Sequence, residues 1–103
     1  MTTIQLKKFG NVLVSRPAGL EAFNAIRPQL DPNETIQLDF GDILTVTPSW
    51  LDEFLTQLTN FNKGKVDLLP TKNASVLAAL PVLAEARQDF VATVVQQALQ
   101  DMK

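Results

Sequence analysis

The sequence predicts an α/β fold, and three observations lead there. Short alternating apolar segments (Thr3–Lys7, Thr35–Phe40, Lys65–Leu69) are interleaved with longer stretches at helical spacing. Helix-start signals follow the strand segments: Ser15-Arg16-Pro17, Thr47-Pro48-Ser49 and Thr71 or Asn73. The 103 residues and a hydrophobic fraction of 46% suit one domain with an ordinary core.

The elements follow in order. Ile4 and Leu6 alternate with Gln5 and Lys7, and Val12 to Val14 reads as a second strand after the Gly10-Asn11 turn signal, so Thr3 to Ser15 is expected to be a hairpin. Ser15 can cap a first helix, with Pro17 tolerated in its first turn. Leu20, Phe23, Ala25, Ile26 and Leu30 mark its apolar stripe, and Asp31-Pro32-Asn33 closes it. Thr35 to Phe40 reads as a central strand, followed by a turn at Gly41-Asp42. The second helix has Thr47 as cap and Pro48 as first residue. Asp52 and Glu53 favour its positive end, and Leu51, Phe54, Leu55 and Leu58 form its buried face. Lys65 to Leu69 is a further strand. A short helix led by Asn73 runs to Leu80 and is interrupted or restarted at Pro81. From Val82 to about Met102 one long amphipathic helix is expected. The organisation is then a single domain over 1–103, with a core of about 3–80 and a helical extension of about 82–102.

Composition excludes several chemistries. The chain has no histidine and no cysteine, so a Ser-His-Asp triad, a thiolate nucleophile and an iron–sulfur cluster cannot be built from it alone. A net charge of −2, with its basic residues scattered, argues against nucleic acid as a partner. The glycines stand apart and form no phosphate-cradling loop. No cofactor and no metal site is expected, and the chain is expected not to be an enzyme. No signal peptide or spanning segment is read, and cysteine-free composition suits the cytoplasm.

The segment Ile36 to Leu58, IQLDFGDILTVTPSWLDEFLTQL, has a distinctive order: a strand ending Leu-Asp-Phe, an apolar link, then Ser, an apolar residue and Asp-Glu on a helix. It resembles the STAS-like domains of unknown function, relatives of the bacterial anti-sigma-factor antagonists. Gly10, Val12, Leu13, Ser15 and Arg16 ahead of the first helix, and Asn73 leading a helix with Val76, are similar as well. The likeness spans roughly residues 8 to 80. It implies a STAS-like fold, a small mixed sheet of about four strands with helices on it, and a non-enzymatic regulatory role through a protein partner. An ATP-binding anti-sigma-type kinase is the partner class. Ser49 falls at the antagonists' phosphorylated serine, while their Asp-Ser-Ser pattern is reduced here to Thr47-Pro48-Ser49.

Each candidate has a competing structural role. Ser49 is a candidate phosphoacceptor, but a first-turn serine that satisfies a backbone amide is the commoner situation, and Asp52 and Glu53 nearby would repel a phosphate. Thr47, Ser49, Trp50, Asp52 and Glu53 form the candidate partner-binding surface. Trp50 lies off the leucine stripe and is either a core residue or an exposed anchor, with the core favoured. Asp39, Asp42, Asp52 and Glu53 could serve a metal, a ligand or acid–base chemistry. The structural alternative has Asp39 accepting amides from the next loop or pairing with Arg16. Arg16, Asp39 and Asn73 are therefore read as structural polar residues. The C-terminal stripe Leu83, Ala86, Phe90, Val91, Val94, Val95, Ala98 and Leu99 either folds back on the sheet or pairs with a second copy as a homodimer. A membrane-surface role is disfavoured because Glu85, Asp89 and Asp101 outnumber Arg87 and Lys103.

Overall fold

A computed structural model describes residues 1–87 and 89–102; Gln88 and Lys103, including the terminal charge weighed above, lie outside the described residues. The described residues fold as α/β, with four α-helices and five short strands. The strands are β1 (Thr2–Gln5), β2 (Val12–Leu13), β3 (Ile36–Asp39), β4 (Thr45–Val46) and β5 (Val66–Leu68). The helices are α1 (Arg16–Ile26), α2 (Pro48–Asn62), α3 (Ala74–Ala86) and α4 (Phe90–Asp101).

Every strand pairing is parallel, not mixed. One sheet has the order β1-β3-β5, and β2 pairs with β4 in a second ladder. The expected hairpin over Thr3–Ser15 does not form. Leu6 to Phe9 makes a 3-10 turn that carries β2 away from β1, so β1 pairs with β3 and β2 with β4. The 3-10 turn re-aims the chain, so Gly10-Asn11 does not close a two-strand turn.

The three-stranded sheet has one dry face. Ile4, Ile36, Leu38, Val66 and Leu68 point into the core, while Thr3, Gln5, Gln37, Asp39 and Asp67 are on the other side, partly or fully exposed. Parallel sheets are usually covered on both faces. Here the alternating sequence leaves one face wet, with Thr3 Oγ1 donating to Gln37 Oε1 at 3.1 Å across it. Both crossovers run in the same direction, which sets α1 and α2 side by side.

The α1 face that meets α2 is Gly19, Ala22, Phe23 and Ile26; Leu20 and Ala25, expected in the stripe, are exposed. Small residues let the helices touch. A Cβ on Gly19 would sit 2.5 Å from the Trp50 carbonyl oxygen. Helix α1 also ends early, at Ile26, and Arg27–Gln29 continues as a 3-10 turn around Pro28.

The long C-terminal helix is two helices. Helix α3 passes through Pro81 without breaking and ends at Ala86, and α4 starts at Phe90, where Asp89 caps it by accepting the Val91 amide at 3.1 Å. A proline removes one amide and crowds the preceding turn, but the flanking turns continue the helix on both sides. Val91, Val94, Val95 and Ala98 of α4 join the same core as the sheet, so this helix is folded back. Among the described residues no helix is long and apolar enough to cross a membrane.

Candidate functional site

Strands β2 and β4 run side by side and deliver the chain into α1 and α2, so two helix starts lie at neighbouring strand ends. The Thr47 amide donates to the Leu13 carbonyl at 2.9 Å, fixing the spacing. Ser15 accepts the Ala18 amide at 3.3 Å, and Thr47 Oγ1 accepts the Trp50 amide at 3.5 Å. Ser49 lies in the first turn of α2, half-buried, with its Oγ 3.3 Å from Thr47 Oγ1. Pro48 beside it is exposed.

Asn73 stitches α3 to this region. Its Oδ1 accepts the Ser75 and Val76 amides at 2.9 and 3.2 Å, while Nδ2 donates to the Ile43 carbonyl at 2.6 Å. The Ser75 hydroxyl accepts the Val46 amide at 3.0 Å, closing the outer edge of β4. One side chain thus caps a helix and holds the loop ahead of β4, using donor and acceptor ends for different elements.

The candidate acids do not act as a group. Asp39 Oδ1 accepts the Gly41 amide at 2.8 Å, making a turn of its own. Asp42 pairs with Lys7 at 3.2 Å. The expected Arg16–Asp39 pair is absent; Arg16 Nη1 reaches Asp52 at 2.8 Å and Glu53 at 3.9 Å instead. Asp52 and Glu53 fall in the second turn of α2 rather than its first, and α1 brings Arg16 to them because Gly19 lets the two helices meet. Among the described residues no three such side chains converge on a point that could hold a metal ion.

Arg87, at the end of α3, completes the cluster. Its Nη1 lies 3.2 Å from Asp52 Oδ1, and its Nη2 donates to Thr56 Oγ1 at 2.9 Å and to Asp89 at 2.8 Å. Asp52 is thereby held between two guanidinium groups and is only 6% exposed. Arg87 Nη1 donates to Asp52 Oδ2 at 3.3 Å, while Oδ1 has no hydrogen-bond partner and meets Arg87 by charge alone. The hydrogen bonds to Asp89 hold the Arg87 guanidinium more firmly protonated than usual, against a smaller opposing effect of burial. The same bonds hold the Asp89 carboxyl below its ordinary value.

Trp50 is the main correction to the candidate surface. It is 1% exposed and stacks on Phe54 with centroids 5.0 Å apart and planes 9° from parallel. Phe9 and Phe23 pack on the same pair. Residues 50 and 54 are one turn apart on the same side, so the indole extends the buried face beyond the leucine stripe. Neither Trp50 nor Asp52 is available to an outside partner. Thr47, Ser49 and Glu53 keep partial exposure.

Other residues supply what those two do not. Leu44 is 69% exposed and Val12 51% exposed, and Val14 is exposed as well. Val12 and Val14, two residues apart, share the side of the chain opposite the buried Leu13, while Leu44, whose amide donates to the Asn11 carbonyl, lies just ahead of β4. In the sequence, Val12–Val14 reads as a strand and Ile43–Leu44 as an apolar link, and neither reading marks Val12 or Leu44 as exposed. Only the shortness of β2 and β4 leaves them open. Arg87 carries no motif at all; only the turn after α3 directs it to Asp52.

No known protein family matches this chain, and neither the curated proteins nor the solved structures contain a match to it.

Proposed function

We propose that this chain is a non-enzymatic regulatory domain of the STAS-like kind, acting in the cytoplasm by docking a protein partner through exposed residues around β2, β4 and the α2 start: Val12, Val14, Leu44, Pro48 and Ser49. The observation that carries the reading is the exposure of Leu44 and Val12 on the strand segments that lead into α2 and α1, with a partly exposed hydroxyl pair at the α2 start. Large apolar side chains gathered on a surface are the usual mark of a docking site. The interleaved strand–helix order, with α1 and α2 on a parallel sheet, is compatible with the family that the Ile36–Leu58 segment resembles.

Ser49 is the candidate switch. The two acids that would repel a phosphate are both engaged: Asp52 by Arg16 and Arg87, Glu53 by Arg16 and by the Gln57 amide at 3.0 Å. A phosphate on Ser49 would meet the amides of the α2 start and the half-exposed Arg16 rather than two bare carboxylates. The partner class is the ATP-binding kinase that the resemblance implies. Acid–base or metal chemistry at Asp39 and Asp52 draws no comparable support, since each of these carboxylates has its own internal partner.

The test is affinity capture from native lysate with wild type, Leu44→Glu and Ser49→Asp as baits, followed by phosphosite mapping with ATP. The expected result is one ATP-binding protein held by wild type, lost by both variants, and able to phosphorylate Ser49. Capture of the same protein equally by all three baits, or phosphate placed elsewhere than Ser49, would overturn the reading.

A further inference from the structure

Strand β1 is one edge of the three-stranded sheet. The Thr2 amide donates to the Thr35 carbonyl at 3.2 Å, so the backbone groups of Thr2 are turned toward β3. Backbone direction alternates along a strand. Ile4 therefore also bonds β3, while the Thr3 N–H and C=O and the Gln5 N–H are turned away from it. The opposite edge is closed. There β5 packs against α4, Asp67 places a charge on the strand, and the outward Val66 amide donates to the Gly64 carbonyl at 2.8 Å. Charge, proline and cover are the usual protections of an edge. The β1 sequence, Thr-Thr-Ile-Gln, has neither charge nor proline.

A groove of about 330 Å³ runs along the β1 edge. All four β1 residues line it, and because their side chains alternate between two faces, one groove touches all four only from the edge. The second wall is the end of α1 and the 3-10 turn after it: Ile26, Gln29 and Leu30. Lys8 is the one charged residue in the lining. It is exposed and has no ion-pair partner among the described residues.

We propose that this groove takes an extended, acidic segment of a partner protein, added to the sheet as a fourth strand beside β1. The surface is separate from the one around β2 and β4, and the inference does not rest on the regulatory reading. The outward Thr3 and Gln5 groups call for backbone donors and acceptors at strand spacing. A helix has its own engaged internally, so extended chain is what meets them. Alternate side chains of that segment reach Ile26 and Leu30, and a carboxylate on it answers Lys8. A second copy of this chain is the poorer occupant. Antiparallel pairing of two β1 edges about a two-fold axis puts like faces on the same side, so the Ile26–Leu30 wall of each copy falls over the groove of the other.

Selection of a displayed library of random ten-residue peptides on the full chain tests the proposal, followed by fluorescence anisotropy with the best synthetic peptide. The selected peptides should carry an acidic residue and an alternating apolar pattern. N-methylating that peptide one residue at a time should weaken binding at every second position and be tolerated between them, the signature of pairing along one edge. Thr3→Pro removes an amide that faces away from the sheet. It should weaken binding at least about tenfold while circular dichroism shows the fold kept. Lys8→Glu should weaken binding about fivefold at low salt, and a peptide with lysine in place of its acid should restore it. A library without a binder, N-methylation equally tolerated or equally harmful at all positions, a folded Thr3→Pro that binds as wild type does, or Lys8→Glu without effect would each overturn the proposal. So would a wild-type dimer in sedimentation velocity that Thr3→Pro dissolves, since a second copy would then hold the edge. The N-methyl series decides even where Thr3→Pro does not fold.

Discussion

Helices α2 and α3 break the usual burial pattern in opposite ways. Helix α2 lies centrally and covers polar groups: Asp52, Thr59 and Asn62 are all buried along with its leucines and aromatics. Helix α3 lies at the edge and leaves Leu77, Pro81 and Val82 in the open. The difference shows that residue type does not by itself decide burial; position in the contact network does. A covered polar group must be matched, and α2 complies in part: Asp52 sits between Arg16 and Arg87 and Asn62 Nδ2 donates to the Lys65 carbonyl at 2.8 Å, while Asp52 Oδ1 and Asn62 Oδ1 are buried without a hydrogen-bond partner. An uncovered apolar group makes no such demand, so α3 can leave its outer face in the open.

The contrast can be broken most sharply at Trp50. Removing its ring should leave Phe9 and Phe54 without the largest side chain they pack on, and Trp50→Ala is expected to cost about 4 kcal/mol in denaturant unfolding. A loss under about 1 kcal/mol would mean that α2 is not the packing centre. The next effect is at Asp52. Replacing it by Ala leaves the partly buried Arg87 without one of its partners, for an expected loss of about 2 kcal/mol, smaller than for a fully buried pair because Arg16 is half-exposed. Unchanged stability in Asp52→Ala would show that the arginines hold the α1–α2–α3 junction without it.

The smallest effect is pH-dependent and lies at the turn between α3 and α4. The Arg87 hydrogen bond lowers the Asp89 carboxyl below its ordinary value near 3.8, with burial opposing. A group whose folded value is depressed stabilises above its unfolded value and loses that contribution as pH falls through the folded one. Wild type should therefore lose stability below about pH 4 more steeply than Asp89→Asn, as read from melts at successive pH values. Parallel curves would separate Asp89 from the acid response, leaving Glu34, similarly lowered by Thr2 and the N-terminal ammonium, as the remaining contributor.

Local signals were legible where a residue acts on its own neighbours. Ser15, Thr47 and Asn73 cap helices as their side chains and the following turns require, and Asp39 takes the amide of Gly41 two residues on. The strand at Ile36–Asp39 and that at Val66–Leu68 follow from alternation. Signals failed where the outcome depends on distant chain. Val12–Leu13 reads equally well as the second arm of a hairpin or as a separate parallel strand, and the 3-10 turn at Leu6–Phe9 decides. Pro81 reads as a helix break, yet packing on both sides carries α3 through it.

The alternation of strands with helices, the caps that begin α1, α2 and α3, and the chemistry ruled out by a chain without histidine or cysteine all follow from the amino-acid sequence. These depend on backbone preferences and on side chains that act within a turn or two. Which acid meets which arginine, that Trp50 is buried while Leu44 is not, and that α3 keeps an open apolar face were decided by tertiary packing. Contact between segments far apart in the chain, as at Gly19 on Trp50, is a property of the assembled layers and is encoded in no local stretch.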